Sequence, residues 1–272
     1  EYTIVYDPTV FVKHSIDAVI HTLIEAVLLV VLVVIVFLQT WRASVIPLLA
    51  VPVSIVGTFA IMLPLGFSIN VLSLFGLILA VGIVVDDAIV VVENVERNIE
   101  EGKSPRDATV QAMKEVTGPI IATSLVIAGV FIPIAFISGL TGMFYRQFAL
   151  TIVIATFIST INSLTLSPAM SALLLKPRHE QKDKLTRIMD FLFGWFFNLF
   201  NKGFGRSQNV YAKGVGIAGR RRVIMMVLFG GLVASTYFSF GLVPKGFVPA
   251  QDKQYLISFA RLSPGATLER TE

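Results

Sequence analysis

Six long apolar segments decide what this chain can fold into. They cover residues 19–39, 43–66, 71–92, 116–137, 148–175 and 223–243. A helix needs about 20 mostly apolar residues to cross a bilayer, so each segment is long enough to do so. Charged residues make up only 15% of the 272 positions, well below the roughly 25% that is typical of soluble domains. The sequence therefore predicts an all-α polytopic membrane protein with six transmembrane helices.

The basic residues are spread unevenly over the loops between these segments. Most of the 22 Lys and Arg residues lie in the loops after the first, third and fifth segments. Cytoplasmic loops carry an excess of Lys and Arg, so these loops are predicted to be cytoplasmic and both ends of the chain exoplasmic. Because this topology accounts for the net charge of +4, we expect no nucleic acid among the partners.

The long connection between the fifth and sixth segments contains an amphipathic pattern with Lys or Arg at its flanks. Its apolar residues recur at helical spacing: Leu185, Ile188, Met189, Leu192, Trp195, Phe196 and Leu199. Such a pattern is typical of a helix lying in the membrane interface. A helix packed on neighbouring protein would give the same pattern, so both interpretations stay open.

The chain divides into five parts on these grounds. Residues 1–17 end an exoplasmic segment, 18–175 hold five transmembrane helices, 176–221 form a cytoplasmic linker with the amphipathic helix, and 222–243 form the sixth span. Residues 244–272 change character, with an alternating stretch near 255–262 and a helix-start pattern at 267–269, which predicts the start of an α+β exoplasmic domain. We expect the chain to be an excerpt of a longer protein.

Two adjacent carboxylates, Asp86 and Asp87, interrupt the third apolar segment. A carboxylate inside a membrane-spanning helix costs on the order of 3 kcal/mol, so each Asp should face protein or water rather than lipid. Adjacent like charges cannot both ionise cheaply at low dielectric, so the pair is a candidate proton-binding site. No Lys or Arg lies inside any of the six segments, so a neutralising cation must come from another segment. A structural role, in which the pair holds neighbouring helices by hydrogen bonds, is the alternative.

Helical spacing places the two carboxylates on adjoining lines of the third helix. The first line, called the Asp87 line below, contains Gly76, Ala80, Asp87 and Asn94. The second, the Asp86 line, contains Leu79, Gly82, Asp86, Val90, Glu93 and Arg97. Small residues allow another helix to approach closely, so we expect this edge to be a packed interface rather than a lipid-facing one.

The fifth segment carries a line of hydroxyl residues at helical spacing, called the hydroxyl line below: Thr156, Thr160, Ser163, Ser167 and Ser171. It could line a water path for protons. Alternatively, the hydroxyls bond to their own backbone and the small residues pack helices together. Near the exoplasmic end of the first segment, Glu25 is either functional or interfacial. We take Glu25, Asn94, Thr160 and Ser163 as candidate accessory residues.

Two other site classes find little support in the sequence. The chain has no Cys, and its three His residues have no metal-site spacing, so we expect neither a metal site nor a cofactor. An intramembrane aspartyl protease uses two Asp residues from different helices, whereas neighbours on one helix diverge by about 100°. The chain also lacks a Gly-x-Gly-Asp string.

The string GIVVDDAIVVVENVER, residues 82–97, resembles the signature of the resistance-nodulation-division (RND) efflux transporters, in their hydrophobe and amphiphile multidrug branch. The resemblance covers essentially the whole chain, including VFLQTWRASVIPLLAVPVSIVGTFA, GFSINVLSLFGLILAVG, YRQFALTIVIATFIS and TLSPAMSALLLKP. It implies a transporter with twelve spans in two repeated halves, of which this chain matches the second to seventh.

The resemblance also implies a function, partners and a location. Asp86 and Asp87 match the tandem Asp residues that load and release protons in the family, paired with a Lys from the missing second half. The expected protein is then a proton/drug antiporter rather than an enzyme. It would form a homotrimer in the bacterial inner membrane, with a periplasmic adaptor, an outer-membrane channel and amphiphilic drugs as partners, and with the ends of this chain periplasmic. Two alternatives stay open: a half-module without autonomous transport, and an RND relative that moves metal ions or lipids.

Overall fold

A computed structural model describes residues 8–176 and 184–242, and every regular element in these two ranges is an α-helix. The helices, in chain order, are α1 (Pro8–Leu38), α2 (Trp41–Met62), α3 (Val71–Glu100), α4 (Pro105–Ile134), α5 (Gly139–Leu174), α6 (Lys184–Arg220) and α7 (Arg222–Leu242). The strand and helix predicted at 244–272 lie outside the described residues.

Six helices of the described ranges are long and apolar enough to cross a membrane. The candidate spans are Val12–Leu38, Trp41–Met62, Val71–Glu100, Pro105–Ile134, Gly142–Leu174 and Arg222–Leu242. They coincide with the six apolar segments of the sequence, while α6 corresponds to the predicted amphipathic helix. The predicted all-α polytopic fold is confirmed.

Several helices extend well beyond the apolar segments, because local capping rather than hydrophobicity decides where they end. At the start of α3, Asn70 and Ser73 form a reciprocal capping box. At the other end, Gly102 adopts a φ of +96°, a conformation that favours glycine. Ser104 then caps α4 through the Asp107 backbone N–H. The polar ends of α3 and α4 are thus helical although they contribute nothing to the hydropathy signal.

Helices α1 to α5 pack into one bundle, in which α3 contacts each of the other four. The most extensive interface joins α3 and α5. One buried apolar cluster centres on Ile46 of α2 with Val91, Val92 and Val95 of α3, and a second centres on Val34, Val51, Val81 and Val85. Both clusters use α3, so the helix that carries the carboxylate pair is held by several neighbours.

Helices α6 and α7 lie outside this bundle. Phe37 of α1 makes edge contacts with Phe200 and Phe204 of α6, at ring-centroid distances of 5.3 and 5.6 Å. Gln39 and Asn201 exchange hydrogen bonds beside them. Elsewhere α6 exposes large apolar side chains, including Phe191, Trp195 and Leu199, as expected of a helix that faces lipid or another protein. No residue of α7 is buried against the described part of the chain.

Candidate functional site

Helices α3 and α5 run parallel, and two contacts fix their relative register. A Cβ added at Gly76 would lie 3.0 Å from the Phe148 carbonyl oxygen and 3.2 Å from Thr151 Cβ. Eight positions later on both helices, the Ser159 hydroxyl donates a hydrogen bond of 3.0 Å to the Val84 carbonyl oxygen. The missing side chain at Gly76 therefore allows close approach of the helices, as small residues do in membrane interfaces.

The Asp87 line of α3 follows this close contact. Gly76 and Ala80 are buried against the bundle, and Asp87 and Asn94 are half-buried. The Asn94 side chain donates to the Val90 carbonyl oxygen at 2.9 Å, within its own helix. The predicted packing of this line is found at its N-terminal end, where α5 is the partner.

The Asp86 line is uncovered by the described helices. Leu79, Gly82, Asp86, Val90, Glu93 and Arg97 are all exposed, and a Cβ added at Gly82 would meet nothing within 4 Å. At the C-terminal end of this line, Arg97 forms an ion pair with Glu115 of α4. The predicted edge thus has two parts: one line packs on α5, and the other presents a carboxylate, a glycine and apolar residues on a free surface.

Neither Asp86 nor Asp87 makes a hydrogen bond or ion pair with the residues that the structure describes. The six apolar segments of the sequence contain no Lys or Arg, and Arg146 lies near the start of α5. Carboxylates at such depth are normally paired with a cation, with backbone groups or with one another. Within residues 8–176 and 184–242, the structure shows no such cation or backbone partner for either carboxylate.

The hydroxyl line of α5 is buried along its whole length. Thr156, Thr160, Ser163, Ser167 and Ser171 are each at most 9% exposed. Thr160 donates to the Thr156 carbonyl oxygen at 2.9 Å, and Ser171 donates to that of Ser167 at 2.8 Å. By contrast, the hydroxyl oxygens of Thr156, Ser163 and Ser167 have no hydrogen-bond partner among the described residues. Hydrogen bonds to the α5 backbone therefore account for only some of these hydroxyl groups.

Of the candidate accessory residues, Glu25 lies apart from the others. It is exposed on α1, whereas Thr160 and Ser163 are buried in the bundle. The structure therefore does not place Glu25 in the interior that contains the hydroxyl line.

Other polar residues near the site do not stand out in the sequence. Asn162 of α5 donates to the Ser54 hydroxyl of α2 at 3.0 Å, and Ser124 of α4 contacts the Thr160 hydroxyl at 2.5 Å. Further along α3, the Thr40 hydroxyl donates to Glu96 at 3.3 Å. A lone Ser or Asn in an apolar helix gives no periodic signal. Their burial together beside α3 appears only once the helices are packed.

The described residues hold no group of three or more His, Asp and Glu side chains that could bind a metal ion. The polar chemistry of the site consists of carboxyl, hydroxyl and amide groups. The carboxyl groups can take up and release protons, and the hydroxyl and amide groups can hold water, in an interior where unpaired charge is expensive.

Comparison with known proteins identifies the family of this chain. The family model described as the AcrB/AcrD/AcrF family matches residues 1–272. The chain is 42% identical over 268 residues to the toluene efflux pump membrane transporter TtgB of Pseudomonas putida, a match that covers 98% of this chain and 25% of TtgB. It is 43% identical over 272 residues to the multidrug export protein AcrF of Escherichia coli K12, with the same coverage.

A third relative, the multidrug resistance protein MdtF of Escherichia coli O6:H1, is 40% identical over 267 residues, and the chain again spans 25% of its length. The resemblance read from the Asp-containing string of α3 is thus confirmed by matches over nearly the whole chain. The chain belongs to the AcrB/AcrD/AcrF family of RND multidrug efflux transporters.

Proposed function

We propose that this chain forms part of the membrane domain of a proton-driven multidrug efflux transporter, in which Asp86 and Asp87 bind and release the coupling protons. No cofactor is needed, since the proton is the coupling ion. The observation that carries the proposal is the state of the pair: two adjacent carboxylates in a membrane-embedded helix, one half-buried and one exposed, with neither in an ion pair with the described residues.

The second part of the proposal concerns the missing cation. The Asp86 line is long, uncovered and has a glycine beside Asp86, so another helix could approach it closely. We propose that the remaining half of the transporter covers this line and brings a Lys to the pair. The chain spans 25% of the length of the relatives that it matches, which leaves ample sequence for that half.

Coupling then follows from electrostatics. With the pair ionised, the Lys is held against α3. When protons arrive from the periplasmic side and neutralise the carboxylates, the attraction is lost and the two halves can shift relative to each other. The shift would drive export through periplasmic domains that are not part of this chain.

The wider assembly is proposed from the relatives. TtgB is named a toluene efflux pump and AcrF a multidrug export protein. By analogy, we propose that the complete transporter exports amphiphilic compounds. We place the protein in the bacterial inner membrane with both ends of this chain in the periplasm, as a homotrimer that works with a periplasmic adaptor and an outer-membrane channel.

The test is transport by the complete transporter that carries this chain, reconstituted in liposomes under an imposed pH gradient. Asp86→Asn and Asp87→Asn should each reduce drug-coupled proton flux by at least about 100-fold, the scale on which a positioned proton-transfer group acts. Glu101→Gln is the matched control, because Glu101 is an exposed carboxylate just after α3, outside the Asp86 line, and its ion pair with Lys103 is at the surface. It should change the flux by less than about twofold. Normal flux in both Asp variants would refute the proposal.

The same liposomes address the question of autonomy. The 272-residue chain alone should carry no proton flux, and adding the remaining half of the transporter should restore it. Flux through the chain alone that disappears in Asp87→Asn would show that no second-half Lys is required.

A further inference from the structure

The register between α3 and α5 brings one member of the hydroxyl line to the level of Asp87. Gly76 contacts α5 at Thr151, and Val84 contacts it at Ser159. Both contacts join residues 75 positions apart in the sequence, and the two helices run in parallel. Continued by one turn, the same register sets Asp87 opposite residues 162 and 163 of α5.

Helical rotation also puts both residues on the faces of α3 and α5 that meet in this interface. Asp87 follows Gly76 by eleven residues, which is a rotation of only about 20° from the direction in which Gly76 meets the α5 backbone. Ser163 follows Ser159, the residue that reaches α3, by four residues and so continues the same face. Ser163 is fully buried, at 0% exposure, and Asp87 is half-buried.

The Ser163 hydroxyl oxygen has no partner in the described structure, and it shares this condition with Thr156 and Ser167 on the same line. Buried hydroxyls are nearly always hydrogen-bonded to protein or to ordered water, because leaving one unpaired carries a desolvation cost. Each of these residues could in principle donate to a carbonyl of its own helix, as Thr160 and Ser171 do. In the packed bundle they do not.

We propose that Ser163 and Asp87 share an internal water, and that Thr156 and Ser167 extend this hydration along α5. A water needs two to four polar partners to be held in a protein interior. The carboxylate of Asp87 and the hydroxyl of Ser163 supply the first two. Ser163 is then a positioning residue for the proton-binding carboxyl, and the hydroxyl line gives Asp87 an internal connection to water on the α5 side. This inference rests on the proton-binding role proposed for Asp87.

No competing charged group faces Asp87 from the packed helices. Residues 43–62 of α2, 116–134 of α4 and 148–174 of α5 contain no acidic or basic side chain. On α3 itself, the neighbouring charge is Asp86; on α1, Glu25 and His21 lie near the exoplasmic end. Hydroxyl and amide groups are therefore the polar side chains that these three helices present to the carboxyl.

The test uses infrared difference spectroscopy of the complete transporter, since the C=O stretch of a protonated carboxyl responds to its hydrogen bonds. The Asp87 band is assigned by its loss in Asp87→Asn. Ser163→Ala should displace this band and slow proton uptake about 3- to 10-fold, the effect of losing one hydrogen bond. Ser163→Cys keeps the side-chain volume but is a weak donor, so it should displace the band in the same direction.

The matched control is Thr165→Ala. Thr165 is exposed on the same helix and donates to the Ile161 carbonyl oxygen at 2.5 Å, so its removal should change neither the band nor the rate. If Ser163→Ala and Ser163→Cys behave like Thr165→Ala while Asp87→Asn abolishes transport, the shared water is refuted and the proton-binding role stands. If Asp87→Asn itself leaves transport and spectrum unchanged, the proposed function fails first.

Discussion

Replacing Gly76 with Val should weaken the α3–α5 interface that supports the carboxylate pair. A Cβ at this position would lie 3.0 Å from a backbone carbonyl oxygen, and ordinary van der Waals contact begins at about 3.4 Å. The obstacle is main chain and cannot rotate away, so the helices would have to separate by several tenths of an ångström. The two methyl groups of Val increase the overlap.

The expected cost can be worked from opposing effects. Overpacking of a tight interior costs about 1–3 kcal/mol, and Val at this contact should be near the upper end. Replacing a helical Gly returns about 0.5 kcal/mol through helix propensity. The net loss in the free energy of unfolding is therefore about 2 kcal/mol. At Gly129 of α4, which is exposed and where an added Cβ meets nothing within 4 Å, the same substitution should be neutral or slightly stabilising.

The measurement is unfolding of the purified protein by SDS in mixed micelles, followed by far-ultraviolet circular dichroism. Gly76→Val should unfold at a clearly lower SDS fraction than the wild type, and Gly129→Val should not. Equal stability of the two variants would show that α3 and α5 are not in close contact at Gly76. The register that sets Asp87 opposite Ser163 would then lose one of its two supports.

Two further predictions concern contacts of α5 and α6. The buried Asn162–Ser54 hydrogen bond, at 3.0 Å, should give a coupling energy of about 0.6 kcal/mol in a double-mutant cycle of Asn162→Ala and Ser54→Ala, measured by the same SDS unfolding; zero coupling would mean that the bond contributes nothing to packing. Phe37→Ala removes the ring that contacts Phe200 and Phe204 and should speed hydrogen exchange in residues 196–204 of α6 without affecting α3, whereas unchanged exchange would show that α6 is held by other contacts.

The sequence was sufficient to predict the six spans and the amphipathic helix, because hydropathy and helical spacing are local properties. It also assigned Asp86 and Asp87 to adjoining lines of one helix, since the rotation per residue is fixed. The helix ends were harder to predict. In α3 and α4 they depend on Asn70, Gly102 and Ser104, whose capping geometry is independent of apolarity.

The surroundings of the pair could not be predicted from one sequence. Spacing puts Gly76 on the Asp87 line and Gly82 on the Asp86 line, yet Gly76 packs on α5 and Gly82 is exposed. Which glycine is covered depends on how α5 crosses α3, a long-range packing choice. For the same reason, spacing could not separate the hydroxyls that bond to their own helix from Ser163, Thr156 and Ser167, which do not.

The adjacency of Asp86 and Asp87 acquires a physical meaning from this packing. Neighbours on a helix point about 100° apart, so two linked carboxylates can face two different partners. Helical rotation puts Asp87 on the side of α3 that faces α5, where the helix is anchored by Gly76 and Ser159. Asp86 lies on the Asp86 line, which the described helices leave uncovered. If protons act as proposed, a change of charge on Asp87 would act on the rigid α3–α5 interface. A change of charge on Asp86 would act on whichever helix covers the Asp86 line. A single Asp could not act on both of these partners. This is a physical reason for two adjacent carboxylates.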